Sequence, residues 1–108
     1  MKVIRNNIIP FSGYKAINLF GILFCRKNAK MDFVILNHEN IHTAQMKEML
    51  YIPFYIWYAV EWTIRLMFYW NFHWAYRNIS FEKEAYIHEG NIDYLKDRRL
   101  FSWIYYIF

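Results

Sequence analysis

The sequence predicts an α+β domain in which a small N-terminal antiparallel β-sheet packs on three helices. Three observations lead there. Residues 1–26 are rich in β-branched and aromatic side chains and are interrupted by turn formers. The stretch Phe33 to Met49 has no Gly or Pro and places side chains at helical spacing. Pro53 and Ser80 then mark two further helix starts. A chain of 108 residues has room for one modest core, so residues 1–108 are expected to form a single domain.

Each element has its own local reason. Ile8–Ile9 followed by Pro10, Ser12 and Gly13 reads as a strand ending in a turn. Tyr14 to Cys25, with Gly21 inside it, reads as a strand with a bend or bulge, or as a tight hairpin. Lys27 to Lys30 is a polar loop. Asp32 is a good N-cap for the next segment, because its carboxylate can accept from the orphan N–H groups one turn in. On that helix Ile35, His38, His42, Gln45 and Met49 share one stripe.

Pro53 opens a second helix running to about Trp70, where its missing N–H costs nothing. It is apolar nearly all round. Its two charges, Glu61 and Arg65, stand four residues apart and are expected to pair. Asn71 to Asn78 reads as a connection. Ser80 can cap a third helix from Phe81 to about Arg98, interrupted by Gly90. The apolar tail, Leu100 to Phe108, reads as a core strand or helix, with occupancy of a cleft as the alternative.

Composition bounds the function. Apolar residues reach 57% and aromatic ones 23%, more than one small core easily hides. The surplus suits a hydrophobic cleft, a membrane surface or a second copy of the chain. The net charge of +4 is mild and scattered, and no nucleic-acid motif accompanies it, so no nucleic-acid partner is expected. A lone cysteine, Cys25, rules out an internal disulfide and reads as a buried reduced thiol. Polar residues from Asn6 to Lys15 break any signal-peptide pattern, and no run of 18 uncharged apolar residues occurs. The sequence leaves two locations open, cytoplasmic or membrane-associated. Pro53 to Trp70 is long enough to span a bilayer. Glu61 and Arg65 near its middle favour a core or oligomer-interface helix instead.

The chemistry concentrates in His38-Glu39-Asn40-Ile41-His42, the pattern H-E-x-x-H. On a helix, two imidazoles four residues apart project from one face and can hold one tetrahedral Zn2+. Glu39 stands next to the first ligand without ligating, placed to act as general base on a water at the ion. The all-histidine extension H-E-x-x-H-x-x-G-x-x-H is excluded, since Gln45 and Glu48 occupy the Gly and His positions.

The third ligand must come from elsewhere, and the Ser80 helix offers Glu82, Glu84, His88 and Glu89. Glu82, Tyr86, Glu89, Asp93 and Asp97 share a polar stripe that reads as solvated, and the helix dipole already accounts for Glu82 in the first turn. Phe81, Ala85, His88, Ile92 and Leu95 form the expected buried stripe, with Glu84 beside it. Glu84 is therefore the expected third ligand, with Glu82 and His88 as alternatives. His88, Glu89 and Gln45 could instead orient a ligand imidazole. Tyr86, Tyr76, Arg77 and His73 are candidates for stabilising an oxyanion.

These residues resemble a known pattern. H-E-x-x-H followed on a later helix by Glu-Ala is similar to the gluzincin group of zinc metallopeptidases, and the length resembles the single-domain minigluzincins. Leu36 to His42, Gln45 and Phe81-Glu82-Lys83-Glu84-Ala85-Tyr86 look like a family of short, aromatic-rich bacterial proteins with a metallopeptidase motif. The resemblance implies Glu84, followed by Ala85, as the glutamate ligand. It also implies a β-sheet on the active-site helix whose edge strand aligns an extended peptide. Gluzincins often carry an acidic residue four after the ligand; here His88 stands there, and the usual second lobe is missing. The leading expectation is a small zinc metallopeptidase acting on a peptide or protein substrate. The other is a non-catalytic module, membrane-associated or oligomeric, with a structural or vestigial zinc site.

Overall fold

The computed structural model describes residues 2–6, 16–27 and 32–107. They form an α+β arrangement with a three-stranded sheet: β1 (Lys2–Asn6), β2 (Ala16–Leu19) and β3 (Ile22–Arg26), ordered β1-β3-β2. The sheet is mixed, not antiparallel. β2 and β3 form an antiparallel hairpin, but β1 runs parallel to β3, with Val3 opposite Leu23. The expected strand at Ile8–Ile9 lies outside the described residues.

The hairpin turn is two residues long. Phe20 and Gly21 both have positive φ, 53° and 86°, as a type I′ turn requires. Asn18 accepts the Gly21 N–H, and its Nδ2 donates to Glu39 O at 2.9 Å and Thr43 Oγ1 at 3.0 Å. This one side chain therefore fixes the hairpin and fastens strand β2 to the first helix.

That helix, α1 (Phe33–Glu48), starts as expected: Asp32 Oδ1 accepts from Ile35 N at 3.0 Å. It ends in a Schellman motif built without glycine. Leu50 N donates to Lys47 O and Tyr51 N to Met46 O, with Leu50 in the left-handed region. α2 (Ile52–Tyr69) follows directly, with Pro53 in its first turn. The stretch after it is a short helix rather than a plain connection: α3 (Phe72–Arg77), capped by Asn71 Oδ1 on Trp74 N.

α4 (Ser80–His88) is shorter than the spacing predicted. The chain turns at Glu89–Gly90, resumes in α5 (Tyr94–Asp97), and closes in a 3-10 helix (Ser102–Tyr106). Glu61 does not pair with Arg65. It accepts from Ser80 N at 3.0 Å and from Trp57 Nε1 at 2.8 Å, so it supplies a carboxylate at the start of α4, while Arg65 donates to Ile107 O. Met46, Phe54, Ile79, Phe81 and Trp103 form the main core cluster. Phe54 stacks on Phe81 at 4.4 Å, and Trp103 packs on Phe81 at 4.8 Å. The C-terminal segment thus supplies a core side chain, and Cys25 is buried and free, as read from the sequence.

Candidate metal centre

α1 presents His38 and His42 one turn apart on its buried face. α4 packs against that face and brings in Glu82 from its first turn. The three side chains converge. Glu82 Oε1 lies 3.2 Å from His38 Nε2 and 3.0 Å from His42 Nε2, and the two Nε2 atoms are 3.1 Å apart. A tetrahedral ion with bonds of about 2.0 to 2.1 Å keeps its ligands about 3.3 Å apart, so the triangle has nearly that spacing.

The outer partners decide what the triangle offers. Gln45 Nε2 donates to Phe81 O at 3.0 Å and to Glu84 Oε1 at 2.9 Å, which fixes its amide orientation. Its Oε1 can then only accept, so His42 Nδ1, 2.8 Å away, must carry a hydrogen. The Glu89 carboxylate plays the same part for His38 Nδ1 at 2.7 Å. With both Nδ1 atoms protonated, each neutral ring turns its Nε2 lone pair towards the other and towards Glu82 Oε1. Three buried acceptors facing one another repel unless a cation sits among them. The donor set therefore fits a divalent ion, and His38, His42 and Glu82 are the residues that would hold it.

Further groups secure this arrangement. Tyr58 OH, from α2, donates to Glu82 Oε2 at 2.6 Å. Asn37 Nδ2 donates to the carbonyls of Glu89 and Asn91, both at 2.9 Å, and pins the turn that presents Glu89. The Tyr86 ring stands edge-on to His38 at 4.5 Å. Its hydroxyl meets Tyr76 OH at 2.7 Å, and Arg77 lies over its ring at 3.8 Å.

The electrostatics follow from burial and proximity. Burial pushes the Glu82 carboxyl up, but His42 and His38 outweigh it and hold it below the usual carboxylate range. Burial pulls His42 down, yet Glu82, Glu39 and Gln45 together raise it to about 9 without a metal. There a proton acts as the missing cation. Glu39 is raised, chiefly by burial and further by Glu82, against His42, His38 and Asn18. Burial and the Glu82 charge also keep the Tyr58 and Tyr76 hydroxyls protonated and able to donate.

The carboxylate that joins the imidazoles is Glu82, not Glu84. Glu84 is fully buried on another face of α4, where it accepts from Tyr94 OH and Arg98 Nε, each at 2.5 Å. The helical wheel does not separate the pair, because the stripe holding Glu82 faces α1 and is buried there, while Ile92, expected inside, lies beyond the end of α4 and is 71% exposed. His88 touches neither ligand ring. It stacks on Tyr94 at 3.8 Å and meets Tyr106 OH at 2.7 Å. Its neighbour Glu89 takes the orienting role. Gln45 and Tyr86 lie against the ligands, while His73 is exposed beside Trp74 and Tyr76. Tyr58 and Asn37 were missed. Tyr58 is one of ten tyrosines, and Asn37 acts on carbonyls more than fifty residues away, so neither left a local signal.

Comparison with protein-family models, with curated proteins and with solved structures returns no match.

Proposed function

We propose that this chain is a minimal zinc-dependent metallopeptidase that holds its ion with His38, His42 and Glu82 and uses Glu39 as general base. The observation that carries this reading is the convergence of two Nε2 lone pairs and one carboxylate oxygen, with both Nδ1 protons fixed from behind. Among the described residues three protein ligands converge, the count of catalytic rather than structural zinc sites. Zinc, when bound, supplies a Lewis acid for the scissile carbonyl and acidifies the attacking water.

The chain's own residues do the rest. The raised Glu39 carboxyl suits a group that takes a proton from water and passes it to the leaving amine. Tyr58 holds the free oxygen of Glu82, and Glu89 and Gln45 hold the two rings. Tyr86, whose ring stands edge-on to His38, and Tyr76, which meets its hydroxyl, offer O–H groups for charge that develops on the carbonyl oxygen. The non-catalytic reading shares the metal and differs only in whether Glu39 matters.

The test is zinc content and peptide hydrolysis in the wild type, Glu82→Ala, Glu84→Ala and Glu39→Gln. Glu82→Ala should lose zinc, and folded Glu84→Ala should keep it. Glu39→Gln should keep zinc and lose hydrolysis by about 10²- to 10⁴-fold. Wild-type hydrolysis should rise with pH as Glu39 ionises, because the base must be charged to take a proton from water. A wild type that takes up no zinc after reconstitution defeats the reading. No hydrolysis by the zinc-loaded wild type leaves only the non-catalytic one, and full hydrolysis in Glu39→Gln removes Glu39 from the role of base.

A further inference from the structure

α2 is built inside out. Its only two charged residues are turned away from water: Glu61 is 7% exposed and bonded to Ser80 and Trp57, and Arg65 donates to Ile107 O. The outward stripe, Ile52, Ile56, Val60, Ile64 and Met67, is apolar and exposed, and Thr63 among them turns its hydroxyl back to Ala59 O. It runs about 22 Å at roughly 1.5 Å per residue. At its end Phe68, Trp70 and Phe72 are 75%, 87% and 70% exposed. Trp103 packs on Trp57 at 5.3 Å, and after it Ile104 and Tyr105 are exposed. Water-facing helices of globular proteins carry the opposite pattern.

We propose that this face rests on the headgroup–acyl boundary of an anionic membrane, with α2 lying in the plane. Among the described residues no helix is long and apolar enough to cross a bilayer, so the face lies on the lipid and does not span it. The exposed aromatics at its end, Tyr69, Trp70 and Trp74, are the types that gather where one end of a side chain is wet and the other greasy.

Charge selects the occupant. The chain has 13 Lys and Arg against 9 Asp and Glu. Four of those nine, Glu48, Glu61, Glu82 and Glu84, are enclosed, against Arg98 among the cations, so the solvent-facing surface is more basic than the net charge suggests. Two such basic surfaces repel each other, whereas anionic headgroups attract them. The other side of α2 hands Tyr58 to Glu82, so the metal centre lies directly behind the lipid-facing helix.

The experiment is flotation of the full chain with phosphatidylcholine vesicles and with vesicles that also contain phosphatidylglycerol. It is run on the wild type and on an Ile56→Glu, Met67→Glu double variant. Both replaced side chains are exposed, and circular dichroism with zinc content verifies that the fold is kept. The wild type should float with the anionic vesicles and progressively less as salt is raised. The double variant should partition at least about tenfold less. Three results overturn the proposal: no flotation of the wild type with either vesicle, equal flotation with both, or a wild-type dimer that the double variant converts to a monomer without vesicle binding.

Discussion

Glu82 and Glu84 stand two residues apart on one short helix, both buried, and what neutralises each differs. Glu84 has a permanent cation. Arg98 Nε and Nη2 reach it at 2.5 and 3.0 Å while Nη1 and Nη2 hold Glu48 at 3.1 and 2.7 Å, all with side chains at most 4% exposed. Glu82 has only imidazoles, whose charge depends on a proton or an ion. A buried carboxylate supplied with its own guanidinium is a structural joint. A buried carboxylate facing two oriented lone pairs is a place for a cation from outside. Gln45 touches both centres, accepting from His42 with Oε1 and donating to Glu84 with Nε2.

Breaking the structural joint should have the largest effect on folding. Arg98→Ala leaves Glu48 and Glu84 buried without their cation, a loss of about 3 to 5 kcal/mol. It also loosens the C-terminal segment, because Phe101 N donates to Glu48. Urea unfolding measures the effect. A cost below about 1 kcal/mol would mean that Glu84 does not need its guanidinium, and the contrast with Glu82 would fail.

The pH dependence of the metal-free protein separates the centres next. His42 is raised from 6.5 to about 9 when folded, so its contribution is fully present below pH 6.5 and is lost as pH rises through 9. Glu84 shifts the other way. Burial raises its carboxyl, but Arg98, Tyr94 and Gln45 outweigh that and lower it, so its contribution is present above 4.5 and is lost as pH falls. Between pH 6.5 and 8 the Arg98 joint is therefore constant, while the His42–Glu82 pair should lose on the order of 2 kcal/mol. Thermal or urea unfolding in chelator should show that loss in the wild type and not in Glu82→Gln. A flat wild-type curve across this range would remove the proton from the metal-free centre.

The parts that local sequence governs were legible. Asp32, the Gly- and Pro-free run after it and the four-residue histidine spacing all act within one helix, and α1 with its two imidazoles came out as read. The hairpin was legible through Gly21. The parallel partner β1 was not, because its pairing with β3 is made at a distance and leaves no local pattern. Leu50 and Tyr51 adopt positive φ without glycine, so only Pro53 announced the joint between α1 and α2. The choice between Glu82 and Glu84 depends on how α4 crosses α1. It also depends on Arg98, fourteen residues further on, claiming Glu84. Neither fact is written in the helix's own periodicity, and the Glu84–Ala85 resemblance pointed to the carboxylate that Arg98 already holds.

The finest test of the contrast is Glu89→Gln. Glu89 lies outside the ligand triangle and is partly exposed, with 28% of its side-chain surface open, so replacing it disturbs little of the core. Gln keeps a carbonyl oxygen that can accept the His38 Nδ1–H, and with it the tautomer. It removes the negative charge that makes the ring a stronger donor to a metal. Zinc affinity should therefore fall by about tenfold, the low end for partners of this kind, or about 1.4 kcal/mol. Folding in chelator should be nearly unchanged. Competition with a zinc-binding dye measures the first and urea unfolding the second. Unchanged affinity would mean that His38 is held by packing alone. Equal losses in affinity and in metal-free stability would make Glu89 a structural partner of the Glu84 kind.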